Sequence, residues 1–156
     1  MQVDGPALDA QVECEQILRS VPQWFGIEDS LLMYARDTAT LPTFLLRDGE
    51  RALGFISLRA HFPHAWEIHC VAIHAEARRQ GLGKTLLAHA EQWLKAQGAW
   101  LLQVKTIAAS SPNPHYAQTR VFYERMGFVS FEVFPDLWAP SNPCLQMLKV
   151  LGGTRV

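Results

Sequence analysis

Apolar residues recur with helical spacing in two stretches near the start of the chain. The first predicted helix begins at Pro6 and covers residues 6–20, because proline is favoured in the first turn of a helix and Pro22 follows its end. The second covers residues 28–37, where one side carries three apolar residues, Leu31, Leu32 and Ala35. Both helices are therefore predicted to pack one face against a core.

Three strands are predicted to follow these helices as a meander. Residues 43–47 and 52–60 are apolar runs joined by an Asp-Gly turn, which is a strong hairpin signal. Residues 66–73 first alternate between polar and apolar side chains and then become wholly apolar, as a central strand does. Three more strands are predicted further on, over residues 100–106, 128–134 and 144–150, and a proline-rich loop separates the last two.

Two more helices are predicted to alternate with these later strands. One follows a glycine-rich loop, carries apolar residues at helical spacing and ends at Gly98. The other covers residues 116–126 and is closed by Gly127. Two helices, a three-strand meander and then alternating helix and strand predict an α/β (α+β) fold, with one domain over residues 1–156.

The composition favours a soluble protein of the cytoplasm. The chain has 156 residues, 49% of them hydrophobic, and a net charge of -1, so no basic surface for nucleic acid is expected. No apolar run approaches the roughly 20 residues that span a bilayer, and the N-terminus lacks the pattern of a secretion signal. The three cysteines, Cys14, Cys70 and Cys144, are widely spaced without a CxxC motif, which favours reduced thiols.

A glycine-rich loop lies between the strand at residues 66–73 and the helix that follows it. Its sequence, Arg78-Arg79-Gln80-Gly81-Leu82-Gly83-Lys84, combines close backbone approach, the positive end of a helix and three cationic side chains. These properties favour a pyrophosphate ligand. A Walker A loop would need glycine where Arg78 stands, and the dinucleotide fingerprint would need glycine or alanine where Leu86 stands.

This loop resembles the acyl-coenzyme A loop of the GNAT superfamily of N-acetyltransferases, whose pattern is Gln/Arg-x-x-Gly-x-Gly/Ala. The segment WEIHCVAIHAEARRQGLGK looks like the fourth strand and loop of that superfamily, and TRVFYERMGF looks like its tyrosine-bearing helix. The hairpin DGERALGFISL falls where the second and third strands belong. The resemblance covers roughly residues 41–150 and implies a mixed, mostly antiparallel sheet flanked by helices. Dimers are common in this superfamily, so a homodimer is among the partners that it implies.

The resemblance implies acetyl-coenzyme A as the cosubstrate. The residues that would bind it are Val71, Ile73, Arg78, Arg79, Gln80, Gly81, Leu82, Gly83, Lys84 and Thr85. Two features depart from the superfamily. Tyr116 stands where many members carry asparagine, which puts contacts to the pantetheine arm in doubt. The stretch before Pro6 offers only Gln2-Val3 for a strand, so the usual first strand is expected to be short or absent.

The resemblance also implies catalytic roles for three residues. Glu67 and His69 lie two apart on one predicted strand and face the same side, with Cys70 facing the other. In the superfamily such positions supply a base or a water relay, for which Glu67 is the first candidate and His69 the second. Tyr123 stands where a tyrosine protonates the departing thiolate. The alternatives are a surface polar pair for Glu67 and His69 and a core tyrosine for Tyr123.

The implied reaction is direct attack of a primary amine, of a small molecule or a protein, on acetyl-coenzyme A. The alternative function is a non-catalytic acyl-coenzyme A-binding sensor or regulatory module. The histidines His61, His64, His69 and His74 match no zinc pattern, so no metal is expected. Six aromatic residues lie outside the regular core pattern: Trp24, Phe25, Tyr34, Phe62, Trp66 and Trp138. They would line a pocket for an apolar or aromatic amine or form a small core beneath the loops.

Overall fold

A seven-stranded sheet forms the centre of the molecule. The computed structural model describes residues 1–7 and 9–152. Along the chain the strands are β1 (Gln2–Ala7), β2 (Thr43–Asp48), β3 (Arg51–Phe62), β4 (Ala65–Ile73), β5 (Leu101–Ile107), β6 (Val129–Ala139) and β7 (Asn142–Val150). Their spatial order is β1-β2-β3-β4-β5-β7-β6, and among these strands β4 and β5 pair in parallel while the other neighbours are antiparallel.

Helices cover both faces of this sheet. The described residues form α1 (Gln11–Arg19), α2 (Glu28–Asp37), α3 (Leu82–Ala96) and α4 (Pro114–Arg125), with a short 3-10 turn at Ala75–Ala77. One core cluster joins α3 and α4 to the sheet, and a second joins α1 and α2 to it. Phe55 belongs to the second cluster and its neighbour Ile56 to the first, as the alternation of a strand requires. In the described chain, no helix is long and apolar enough to cross a bilayer.

The predicted helix from Pro6 is wrong, and so is the expectation of a short or missing first strand. Residues Gln2–Ala7 form β1, which pairs with β2 at the edge of the sheet, and α1 begins at Gln11. Proline is tolerated at an edge because its missing N–H removes no bond from a second neighbour. Gly5 has φ +136 and its Cα lies so close to Thr43 that a Cβ would stand 2.7 Å from the carbonyl oxygen.

Most of the predicted loop between the last two strands is also strand. β6 continues to Ala139 and β7 begins at Asn142, with irregular pairing between Phe134 and Ala139. β6 is the edge strand opposite β1, and an edge strand tolerates a proline such as Pro135 because it has no second neighbour to bond. The lengthened hairpin matters for the site because its turn reaches the central cavity.

A bulge in β4 breaks the regular alternation next to the site. Cys70 pairs with Ser57, whereas Ile68 pairs with the adjacent Leu58, so His69 is the extra residue. Ile68 consequently packs in the first core cluster and Cys70 in the second, although regular alternation would put them together. The expectation that Cys70 faces away from Glu67 is therefore wrong.

Beyond this bulge, β4 and β5 separate. Their parallel pairing ends at Ile68 and Val104, while β4 continues to Ile73 and β5 to Ile107. The two diverging strand ends leave a wedge in the middle of the sheet. An extended ligand placed there would meet backbone groups that the neighbouring strand does not bond.

Candidate active site

A cavity of about 1030 Å³ occupies the wedge between β4 and β5. Both strand ends line it, with residues 70–73 on one side and 104–107 on the other. The remaining walls come from the α1–α2 loop, α2, the start of α3, one side of α4 and the β6–β7 turn. The volume is sufficient for a cofactor arm and a small acceptor together.

The glycine-rich loop opens α3 at one side of this cavity. Gly81 is the N-cap of α3 and adopts a left-handed conformation with φ 74, which glycine adopts without strain. Arg79 also has a positive φ, 67, and such strain in a non-glycine residue is concentrated at functional sites. The N–H groups of the first helical turn have no intrahelical partner, and Arg78, Arg79 and Lys84 are exposed beside them. The loop can therefore bind an anion such as a pyrophosphate.

Most residues predicted to bind the cofactor line the cavity. These are Val71, Ile73, Arg78, Arg79, Gly81, Leu82, Gly83 and Lys84. The cavity wall does not include Gln80 or Thr85, and the Thr85 hydroxyl donates to the Gly81 carbonyl. At Gly83 a Cβ would lie 3.2 Å from the Phe122 ring, so the close packing of α3 on α4 leaves little room for a larger residue there.

Trp24 connects the α1–α2 loop to the glycine-rich loop and to α4. The guanidinium carbon of Arg78 lies 4.2 Å from the centroid of the Trp24 ring. The Trp24 indole N–H donates to Thr119 Oγ1 at 3.0 Å, and its carbonyl accepts from the Tyr116 hydroxyl at 2.9 Å. Desolvation, with a smaller contribution from the charge of Arg79, lowers the pKa of Arg78, which remains a cation at neutral pH. We call this set of contacts the Trp24 bridge.

The Trp24 bridge gives Tyr116 a structural role. The residue that departs from the superfamily pattern holds the α1–α2 loop against α4, 92 residues away in sequence. No sequence signal predicted this contact, because its two partners are far apart and neither belongs to a motif.

Tyr123 lies deep in the cavity wall. Tyr123 is 4% exposed, and its ring contacts Phe122 and Phe128 edge to face at centroid distances of 5.3 and 5.5 Å. Burial raises the pKa of the Tyr123 phenol, with a smaller contribution from Cys70. The hydroxyl therefore stays protonated around neutral pH and is able to donate a proton or a hydrogen bond.

Glu67 lies outside the cavity wall. It is 8% exposed, and both of its carboxylate oxygens are engaged. Oε2 accepts from Lys105 Nζ at 3.0 Å, and Oε1 lies 2.7 Å from His61 Nε2. Because both oxygens already have protein partners, a ligand would have to compete with Lys105 and His61 for this carboxylate.

His69 lies in the cavity wall and has a carboxylate partner. Its Nε2 is 2.8 Å from Asp37 Oδ2, and its ring is tilted against Tyr34 with centroids 5.2 Å apart. A carboxylate only accepts, so Nε2 carries the proton and Nδ1 of the neutral ring is the basic nitrogen. Arg59 Nη2 lies 3.9 Å from the same Asp37 oxygen. Sequence reasoning missed Asp37, because it ends a helix 32 residues earlier and stands in no motif.

Some of the other candidate features lie in the cavity wall and others do not. Of the six aromatic residues considered from the sequence, Phe62 and Trp66 are outside the cavity wall, while four line it: Trp24, Phe25, Tyr34 and Trp138. Within residues 1–7 and 9–152, no three His, Cys, Asp or Glu side chains are grouped to hold a metal ion. The cysteines Cys14, Cys70 and Cys144 are buried and unpaired.

Comparisons with known proteins agree with this architecture. A family model described as Acetyltransferase (GNAT) domain matches residues 40–130. No curated protein matches the chain. A solved structure of a GNAT-family protein from Desulfovibrio desulfuricans has a TM-score of 0.82 and 17% identity, and covers 97% of this chain and 99% of that one.

Two further solved structures share the fold at similarly low identity. An aminoglycoside 6'-N-acetyltransferase complexed with coenzyme A has a TM-score of 0.77 and 16% identity, with full coverage of both chains. The ribosomal-protein-S18-alanine N-acetyltransferase from Escherichia coli has a TM-score of 0.78 and 16% identity, covering 99% of this chain and 96% of that one. The predicted mixed, mostly antiparallel sheet flanked by helices is confirmed.

Proposed function

The chain belongs to the GNAT family of acetyltransferases, and we propose that it transfers an acetyl group from acetyl-coenzyme A to a primary amine. The observation that carries this proposal is a single cavity lined by an anion-binding loop, a base with a carboxylate partner and a buried tyrosine. We further propose that residues 1–156 act as one domain in the cytoplasm, where the three cysteines would remain thiols.

The donor would bind along the wedge and the start of α3. Its pyrophosphate would accept from the unpaired N–H groups of α3 and pair with Arg78, Arg79 and Lys84. The pantetheine arm would extend past Val71 and Ile73, where β4 has left β5. A fold neighbour was solved in complex with coenzyme A, which supports coenzyme A as the kind of ligand.

The chemistry would use His69 as the base and Tyr123 as the acid. A neutral amine attacks the thioester carbon, the new N–C bond forms and the C–S bond breaks. His69 Nδ1 accepts the proton from the amine, and the Tyr123 hydroxyl gives its proton to the thiolate and regains one through solvent. His69 is favoured over Glu67 because His69 lines the cavity, whereas the Glu67 carboxylate is held by Lys105 and His61.

Calorimetric titration with acetyl-coenzyme A tests the donor site. Saturable binding is expected, and Lys84→Gln should raise Kd by about tenfold because a hydrogen bond to a charged group is lost. Lys95→Gln is the matched control, since Lys95 is exposed at the far end of the same helix and outside the cavity. Equal Kd values for the Lys84→Gln variant and the wild type would remove the Lys84 side chain from the pyrophosphate site.

Disruption of the Trp24 bridge should weaken donor binding more than it slows turnover. Trp24→Ala removes the ring on which Arg78 packs and releases the α1–α2 loop from α4, so a several-fold rise in Kd is expected. Phe62→Ala is the control, because Phe62 is 63% exposed and outside the cavity. A loss of kcat with unchanged Kd would instead connect Trp24 to the chemical step.

A further inference from the structure

Tyr34, whose ring contacts His69, belongs to an apolar and aromatic set of residues in the cavity wall. We call this set the acceptor pocket and define it by Phe25, Ile27, Tyr34, His69 and Trp138. The Phe25 and Tyr34 rings pack edge to face, with centroids 5.8 Å apart. Ile27 is 64% exposed and Trp138 45% exposed although both face a concave surface. An apolar ligand would remove this surface from water.

The charged side chains that line the cavity are all cationic, and the nearby carboxylates already have protein partners. Among the described residues, no aspartate or glutamate lines the cavity, whereas five cations do: Arg78, Arg79, Lys84, Lys105 and Arg125. The two carboxylates nearest to the proposed base are occupied. Asp37 holds His69, and Glu67 holds Lys105. Asp37 Oδ2 also lies 3.9 Å from Arg59 Nη2, and both Glu67 oxygens have protein partners.

These charges exclude one class of acceptor. A second ammonium group that entered the cavity would lose its hydration without gaining a carboxylate, which is costly in a low-dielectric site. The reacting nitrogen avoids this cost because it binds and attacks as the neutral amine.

We propose that the acceptor is a monoamine on an aromatic or apolar skeleton, with no second cationic group. This inference rests on the proposed acetyl transfer and specifies its substrate class. The ring or chain of the acceptor would lie against Phe25, Tyr34 and Trp138, with the amine directed to His69. Polyamines and aminoglycosides would be poor acceptors, although one fold neighbour is named as an aminoglycoside acetyltransferase.

An acceptor panel tests the proposal. kcat/KM is measured by thiol release at saturating acetyl-coenzyme A with 2-phenylethylamine, tryptamine, spermidine, kanamycin and a short peptide with a free alanine terminus. The two aromatic monoamines should exceed the polycations and the peptide by about 100-fold or more, since specificity of this size follows from unpaired polar groups in a buried site.

Two pairs of variants test the pocket itself. Trp138→Ser should raise KM for 2-phenylethylamine by about tenfold and leave the Kd of acetyl-coenzyme A unchanged. Its control is Phe131→Ser, which alters another exposed aromatic residue on the same strand but outside the cavity. Ile27→Asp should raise kcat/KM for spermidine, and Val12→Asp, on an exposed face of α1, should not.

The outcomes separate this inference from the proposed function. Turnover of spermidine, kanamycin or the peptide at a rate equal to or above that of the aromatic amines overturns the substrate class and leaves acetyl transfer standing. Binding of acetyl-coenzyme A without turnover of any monoamine also overturns it. Absence of saturable acetyl-coenzyme A binding overturns both.

Discussion

Replacement of His69 by glutamine is expected to lower kcat by about 100- to 1000-fold while the Kd of acetyl-coenzyme A stays unchanged. Glutamine is able to keep a hydrogen bond to Asp37, but it has no basic nitrogen to accept a proton from the amine. The loss should therefore fall on the chemical step. Thiol release at saturating substrates gives kcat, and calorimetry gives Kd.

Glu67→Gln is the matched comparison for this base. It makes the same kind of change two positions earlier, where the side chain lies outside the cavity and holds Lys105. Its loss of kcat should be clearly smaller, although unpairing Lys105 will cost stability, which thermal unfolding reports separately. Asp37→Asn should fall between the two, because it removes the carboxylate that orients His69 and leaves the imidazole in place. A large loss in Glu67→Gln with normal turnover in His69→Gln would transfer the base role to Glu67.

Tyr123→Phe is expected to lower kcat by about 100-fold with little change in Kd or in the melting temperature. The ring contacts with Phe122 and Phe128 survive the substitution, and only the hydroxyl is lost. Because burial raises the pKa of Tyr123, the hydroxyl stays protonated from neutral into alkaline solution, so its donor role is not lost over that pH range. The measurement is kcat for both proteins between neutral and mildly alkaline pH.

Tyr116→Phe controls for loss of a tyrosine hydroxyl on the same helix. The Tyr116 hydroxyl belongs to the Trp24 bridge, so its removal should change Kd rather than kcat. Wild-type kcat in Tyr123→Phe would show that Tyr123 is a packing residue only. A similar loss of kcat in both variants would indicate a general disturbance of α4.

The parts of the site that are contiguous in sequence could be predicted. The glycine-rich loop and α3 follow from residues that are adjacent along the chain: Gly81 adopts the left-handed cap, and Leu86, Leu87, Ala90 and Leu94 form the buried stripe of the helix. Local backbone preference and helical period determine both features, so few distant contacts are needed. The position of Tyr123 on a helix could be predicted because it lies in a recognisable sequence block that ends at the helix-closing Gly127.

The parts that depend on distant contacts could not be predicted. Pro6 reads locally as a helix start, and only its pairing partner in β2 makes it part of an edge strand. The bulge at His69 depends on the register between β3 and β4, which no local pattern specifies. Asp37 meets His69 through the packing of α2 on β4, and this contact could not be predicted from the sequence. Without it, the sequence favoured Glu67 over His69 as the base. His69 lines the cavity and Glu67 does not, and for this reason we propose His69 as the base.

The most direct test of acetyl transfer follows both products of one reaction. The wild-type protein is incubated with acetyl-coenzyme A and 2-phenylethylamine, free thiol is quantified, and the amine is analysed by mass spectrometry. Equal amounts of coenzyme A thiol and N-acetylated amine, both strongly reduced in His69→Gln and Tyr123→Phe, are the predicted result. Saturable binding of acetyl-coenzyme A with neither thiol release nor an acetylated product from any amine of the panel would contradict it and would identify a binding module instead.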